Sequence, residues 1–211
     1  MSKNQPDKSR LLSSSDLIKK YNISAKKSLG QNFIFDKNLT DKIVRCAGEL
    51  NNSKILEVGP GAATLTLSLL KNNPEKLIVV EKDQRFFSLL EEIKSFYPNQ
   101  LEIICADALL IDEKKLFGNA PFKIIANLPY NIGTKLLFKW LENYQNIEMM
   151  ILMLQKEVVE RIVARAGNKD YGRLAVMVNF LCATEFLFDV NPACFTPPPK
   201  VISSKIGRAH V

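Results

Sequence analysis

Lys54-Ile55-Leu56-Glu57-Val58-Gly59-Pro60-Gly61-Ala62-Ala63-Thr64 decides the fold class. An apolar run of strand length enters a turn with two glycines one residue apart, and Leu65, Leu67, Leu69 and Leu70 then continue as a helix. Strand, glycine-rich turn and helix make a nucleotide-type cofactor loop. Glycine lets backbone approach a ligand, and the helix start adds the positive end of its dipole. The spacing here is Gly-x-Gly-x-x-Thr, so the third glycine of the dinucleotide fingerprint is missing. Taken alone, the pair suits a tight turn just as well.

The segments that follow repeat the theme. Residues 77–80 form an apolar strand ending in Glu81-Lys82-Asp83. An acid at the second strand tip, about twenty residues past the glycines, is the expected grip for two ribose hydroxyls. Residues 101–105 end in Ala106-Asp107-Ala108, and residues 122–126 end in Asn127. A lone acid at a strand tip is usually a cap or a solvated turn residue. Glu57/Gly59, Glu81, Asp107 and Asn127 in series imply the shared crevice at the carboxyl ends of an open parallel sheet. Asn127-Leu128-Pro129-Tyr130 then offers an amide oxygen, a backbone carbonyl and a flat ring at one spot. Proline brings no N–H, so the loop presents acceptors, which suit the exocyclic amino group of a planar base. The plainer reading is a strand followed by a Pro-Tyr turn.

Further along, 149–154 reads as a fifth strand whose methionines are core, and Gln155 opens a helix with Val158, Val159 and Ile162 on its apolar face. Residues 174–181 look helical, and 186–190 form a sixth strand leading into a proline-rich loop. Of the 211 residues, 46% are apolar, ample for one α/β domain. No stretch approaches the roughly twenty apolar residues of a membrane span. The polar, charged start shows no signal peptide, so a cytoplasmic location is expected. His210 is the one histidine, which removes a Ser-His-Asp triad, a His-ligated metal and a His base from the rest of the chain. Cys46, Cys105, Cys182 and Cys194 contain no Cys-x-x-Cys and read as free thiols, with Cys105 and Cys182 as small core residues. No metal site is expected. The net charge is +7 with a pI near 9.2. Lys3, Lys8, Arg10, Lys19, Lys20, Lys26 and Lys27 crowd the first thirty residues, and Lys156, Arg161, Arg165, Lys169 and Arg173 form a second basic cluster. A basic border on a base pocket suits RNA; plain surface charge explains the second cluster equally well.

In order, Lys27-Ser28-Leu29-Gly30-Gln31-Asn32-Phe33, Glu57-Val58-Gly59-Pro60-Gly61, Val80-Glu81-Lys82-Asp83, Ala106-Asp107-Ala108, Asn127-Leu128-Pro129-Tyr130, Tyr171-Gly172-Arg173-Leu174 and Phe195-Thr196-Pro197-Pro198-Pro199-Lys200-Val201 resemble the motifs of the ribosomal RNA adenine dimethyltransferases, and within them the bacterial small-subunit (16S) branch. The likeness runs over about 24–204. It implies a Rossmann-like class I S-adenosylmethionine-dependent methyltransferase fold with a mostly parallel sheet. It also implies a monomer acting on 16S ribosomal RNA in the small subunit, dimethylating N6 of two adjacent adenosines near the 3′ end. By resemblance, Gln31, Asn32 and Ile34 close over S-adenosyl-L-methionine, and Gly59 and Gly61 admit its methionine part. Glu81 and Lys82 lie at its ribose, and Asp107 and Ala108 at its adenine. Asn127 and the Leu128 carbonyl accept from the target amino group, Pro129 shapes that loop, and Tyr130 and Phe195 flank the ring. Ala62-Ala63 stands where the family often has a small residue and glycine, and a modest effect on cofactor fit is expected.

The resemblance also frames the ends. Residues 1–23 are expected to be a basic, flexible segment, 24–204 the catalytic domain, and 205–211 a non-native tail whose sequence resembles a translated sequencing adapter. The family's seventh strand and C-terminal helical domain would then be missing or replaced, leaving the fifth and sixth strands with unpaired edges and the chain less stable than a full-length parent. Two other functions fit the same motifs: a 23S RNA methyltransferase of the macrolide-resistance type, and a non-catalytic RNA-binding assembly factor. Intact Glu81, Asp107 and Asn127 argue against the latter. An NAD dehydrogenase fits the early strands but gives Asn127-Leu128-Pro129-Tyr130 no task.

Overall fold

Period-two alternation along the central strands divides their apolar residues between two cores. Ile55, Leu77, Val79, Ile125, Ile151 and Met153 face one. Leu56, Ile78, Val80, Ile124, Ala126, Met150 and Leu152 face the other. Runs such as 77–80 and 122–126 are apolar without a break because helices cover both faces of the sheet. The computed structural model describes residues 7–142, 144–199 and 203–210. Its elements are α1 (Ser14–Lys20), β1 (Phe33–Ile34), α2 (Lys37–Arg45), β2 (Lys54–Val58), α3 (Thr64–Lys71), β3 (Lys76–Glu81), α4 (Phe87–Phe96), β4 (Leu101–Cys105), α5 (Glu113–Phe117), β5 (Phe122–Asn127), α6 (Gly133–Glu142), β6 (Ile147–Gln155), α7 (Lys156–Val163), α8 (Arg173–Leu181), β7 (Cys182–Val190), β8 (Phe195–Thr196) and β9 (Ser203–His210).

Seven strands form one sheet in the order β4-β3-β2-β5-β6-β9-β7. Neighbours from β4 to β6 are parallel, and β9 runs antiparallel to both β6 and β7. Helices α1 to α4 pack on the first core and α5 to α8 on the second. The α/β, mostly parallel architecture expected from the sequence is the one observed. No described helix is long and apolar enough to cross a membrane.

Three local expectations give way. The start of the chain is not loose throughout: Ser13 caps α1 by accepting from the Asp16 N–H, and Leu17, Ile18 and Ile23 are buried in the first core. Lys20 and the Tyr21 hydroxyl both donate to Glu92 on α4, at 2.6 and 2.5 Å, which fastens the segment from outside. Lys3 lies outside the described residues, as do Lys200 and Val201 of the proline-rich motif. Second, residues 203–210 occupy the place of the seventh strand. Their register runs from Gln155↔Ser203 to Met149↔Ala209 on one side and from Val190↔Ser203 to Cys182↔His210 on the other. The unpaired edges expected on β6 and β7 are therefore closed, and the instability argued from them loses its basis. A ladder uses backbone groups that every residue except proline carries in full, whatever the side chain. Third, Cys105 is exposed whereas Cys182 is buried. Cys105 ends β4, the edge strand, where no further strand covers it.

One glycine joins the fold to the site. A Cβ on Gly133, the first residue of α6, would lie 2.7 Å from Leu154 Cδ2 and 3.6 Å from Leu128 Cβ. Leu154 is buried and cannot swing its isobutyl group into solvent. Gly133→Ala is expected to cost about 1–3 kcal/mol through overpacking. The loss should appear as a lower urea midpoint with an unchanged slope.

Candidate active site

Strand order reverses between β2 and β5, and ligands of open α/β sheets bind where that reversal parts the carboxyl ends. Pairing of β2 with β5 is confined to Ile55↔Lys123 and Leu56↔Ile124. Beyond it the two strands lead into Gly59 and Asn127, which both line a cavity of about 400 Å³. Gln31, Asn32, Gly59, Gly61, Glu81, Lys82, Asp107, Ala108, Asn127, Leu128, Pro129 and Tyr130 all line it. Strand tips from four separate stretches of chain thus meet at one site.

The glycine turn needs its glycines for conformation: φ is +66° at Gly59 and +51° at Gly61. Ala63, directly before α3, also sits in the left-handed region at φ +62°. A residue with a Cβ there carries about 1–2 kcal/mol of strain that glycine would not. Ala63 is therefore a local stability cost, while Ala62 lines a smaller cavity beside the main one. A Cβ on Gly59 would meet the Pro129 ring at 3.6 Å, so the turn after β2 already touches the loop after β5.

Glu81 ends β3 and is only 7% exposed. Burial pushes its carboxyl above the ordinary carboxylate range, partly offset by the backbone N–H groups of Asp83, Gly61 and Lys82. The Asp83 N–H donates to Glu81 Oε1 at 2.8 Å. A buried acceptor aimed into a cavity, short of full solvation, is suited to hydroxyl donors. Asp107, past β4, behaves oppositely. Lys82 Nζ donates to its Oδ2 at 2.8 Å and the Leu109 N–H to its Oδ1 at 3.0 Å, which lowers its pKa.

Asn127 is half-buried and stands opposite Met153 in the β5–β6 ladder. Leu128 donates its N–H to the Met153 carbonyl at 3.4 Å and buries its side chain. The Pro129 carbonyl accepts from the Ile132 and Gly133 N–H groups at 3.1 and 3.0 Å, closing the turn into α6. These bonds fix the loop and leave the Asn127 amide and the Tyr130 ring on the cavity wall.

Two of the residues singled out from sequence stand elsewhere. Ile34 is a core residue whose carbonyl accepts from Thr64 Oγ1 at 2.5 Å; it lines a smaller adjoining cavity together with Asn32, Glu57 and Asn127. Phe195, expected beside the target ring, is 2% exposed and belongs to the first core. The cause is the short antiparallel pair of β1 with β8, which sets Phe195 against Ile34. Gln31 lines the cavity, but its amide serves the protein: Nε2 donates to Asp83 Oδ2 at 3.0 Å, while Oε1 accepts from the Lys26 N–H at 2.9 Å and Arg85 Nη2 at 3.2 Å.

The same network holds residues that sequence reading passed over. Arg85 donates to both Asp83 oxygens, with Nη2 to Oδ2 at 2.5 Å, and to the Ser24 carbonyl at 2.9 Å. Arg85 and Gln31 hold the Asp83 carboxyl down at about 2. Asp83 and Arg85 thereby tie the loop carrying Gly30, Gln31 and Asn32 to the tip of β3. The only trace in the sequence was an Asp-x-Arg just beyond the strand, which is also an ordinary solvated turn.

The residues present fit S-adenosylmethionine. A glycine turn stands where an amino-acid moiety would pass, a buried carboxylate where a ribose diol would donate, and an ionised Asp107 beside Ala108 where an adenine would lie. No cluster of metal-binding side chains occurs among the described residues. The 50% identical ribosomal RNA small subunit methyltransferase A of Rhodopseudomonas palustris (strain BisB18) aligns over 194 residues, 90% of this chain and 68% of its own length. Among solved structures, a dimethyladenosine transferase from Plasmodium falciparum matches at 31% identity and TM-score 0.75, covering 85% of this chain, which spans 63% of that one. The 23S rRNA methyltransferase ErmE matches at 28% identity and TM-score 0.74, over 85% of this chain and 70% of its own. Residues 22–206 match the ribosomal RNA adenine dimethylase family, and this chain belongs to it.

Proposed function

We propose that the chain transfers methyl groups from S-adenosylmethionine to the N6 amino groups of two adjacent adenosines near the 3′ end of 16S ribosomal RNA, giving N6,N6-dimethyladenosine. The observation that carries this reading is the convergence of Glu81, Asp107 and Asn127-Leu128-Pro129-Tyr130 on one cavity. When bound, S-adenosylmethionine supplies a methyl group already activated on a sulfonium.

The protein's part is alignment. Glu81 accepts from the ribose hydroxyls, and Asp107 accepts from the cofactor's adenine amino group. The lone pair of the target N6 is delocalised into its ring, which makes it a poor nucleophile. Asn127 Oδ1 and the Leu128 carbonyl accept its two hydrogens and favour a pyramidal nitrogen whose lone pair points at the methyl. Tyr130 packs on the base and fixes its plane. Orientation and preorganised dipoles supply the rate enhancement, and no strong base is required. The N–C bond would form as the S–CH3 bond breaks with its electron pair left on a neutral thioether sulfur, and the nitrogen, then cationic, would release its proton to water.

Transfer of tritiated methyl to unmethylated small subunits tests the reading. Label is expected in small-subunit RNA as N6,N6-dimethyladenosine. The likeness to ErmE sustains a second reading, in which large-subunit RNA is the acceptor; label in 23S RNA alone would decide for it. Binding of small subunits with no label in either RNA would point to a non-catalytic assembly factor.

A further inference from the structure

A second cavity, of about 500 Å³, lies between the start of the chain and α3. Its floor is apolar: Leu11, Leu67, Leu70, Phe35 and Tyr97 contribute. Lys8, Lys37 and Lys71 line it together with the small hydroxyl residues Ser13, Ser14 and Ser15, and no acid among the described residues does. The three lysines come from distant segments and are exposed. Gathering like charges costs self-repulsion, which among the described residues Asp41, 2.7 Å from Lys37, relieves directly. Lys8 lies over the Tyr97 ring at 4.3 Å.

This cavity neighbours the active site. The small cavity beside Asn127 shares Asn32, Phe33, Gly59, Gly61 and Asn127 with the main one, and Thr64 with the lysine-rimmed one. The strand segment Phe33-Ile34-Phe35 therefore forms a ridge between the two.

We infer that the lysine-rimmed cavity seats an unpaired nucleotide of the ribosomal RNA that flanks the target adenosine, with its base on the apolar floor and its phosphates at Lys8, Lys37 and Lys71. The inference rests on the RNA-methylating reading above. An RNA strand is the occupant this chemistry favours, because it joins a flat apolar face to a regular anionic backbone and must already pass the catalytic mouth.

The test is equilibrium binding of unmethylated small subunits by the full chain, measured without turnover over a salt series, in parallel with methyl transfer. The charge-reversed Lys8→Glu/Lys71→Glu pair is compared with Lys114→Glu/Lys115→Glu, which makes the same change in net charge on α5, against the other core. The first pair is expected to weaken binding by about tenfold and to flatten the log–log salt dependence by about 1.4, as for two lost single-strand phosphate contacts. Affinity for S-adenosylhomocysteine should stay at its wild-type value in both pairs, and the melting temperature should fall by no more than a few degrees in either, since each pair places negative charge in the last turn of a helix. Equal loss in both pairs would reduce the effect to overall charge and overturn the inference. So would unchanged RNA binding, including the case where native mass spectrometry finds a small anionic lipid or nucleotide retained in the cavity. Wild-type chain that binds subunits through these lysines without methylating them would defeat the catalytic reading while leaving this one standing.

Discussion

Asn127→Ala is expected to lower kcat for methyl transfer to unmethylated small subunits by about 10²–10³, the scale seen when one preorganised polar partner of a reacting group is removed. Asn127 closes β5, its backbone is fixed opposite Met153, and its side chain reaches the wall shared by the main cavity and the smaller one beside it. Alanine keeps the ladder and removes the acceptor, so the melting temperature should move by no more than about 2 °C. A partner that matters chiefly when the nitrogen becomes pyramidal contributes to the transition state more than to ground-state binding. The loss should therefore fall on kcat, with KM for the subunit within about threefold of wild type. Asn127→Asp sharpens the test. It retains an oxygen acceptor and adds a charge close to Glu81 and Asp107, and intermediate activity is expected. If Asn127→Ala keeps its kcat within a factor of about two, the amide is a turn residue and the catalytic assignment is wrong.

Most of this site could be read from sequence because the relevant signals were local. Glu81, Asp107 and Asn127 each follow an apolar strand directly, and parallel strands connected through helices bring such tips to one edge without further instruction. The two-sided burial of β3, β5 and β6 was likewise encoded in unbroken apolar runs. What escaped depends on pairings between remote segments. Phe195 meets Ile34 through a ladder of two residues, too short to leave any periodicity, and that ladder turns its ring into the core. Asp83, Arg85 and Gln31 form one polar network because the first loop folds back on β3, which no spacing announces. Ser14–Lys20 looked like the end of a charged tail, yet a serine cap and the pair Leu17-Ile18 were enough to dock it. Compositional charge concealed a short amphipathic helix there. The reading of 205–211 as a non-native tail rests on unfamiliar side chains, whereas the place of 203–210 in the sheet follows from backbone hydrogen bonding.

Glu81→Gln is expected to weaken S-adenosylhomocysteine binding by about 3 kcal/mol, roughly a hundredfold, since charge-assisted bonds from two ribose hydroxyls are replaced by one neutral acceptor and one donor. The pH dependence gives this prediction its own signature. With the site empty, burial holds the Glu81 carboxyl above its ordinary value. Hydroxyl donors bind the ionised form, so they lower that pKa when they dock, and binding releases a proton in the window between the two values. Affinity should be flat at high pH and fall by up to about tenfold per unit as pH drops through the raised pKa. For an ordinary solvated carboxylate the same fall would begin at a lower pH. Neither neighbour can mimic it: Asp83 is held at about 2 and Asp107 is also lowered, so both stay ionised through the window where Glu81 takes up its proton. Glu81→Gln, with nothing to titrate, should lose the acid limb along with the affinity. Titration calorimetry from about pH 4 to about pH 8 separates the cases, because the series starts at the ordinary glutamate value and runs upward from it. A variant that binds weakly yet retains the limb would move the titrating group elsewhere and take the ribose assignment from Glu81.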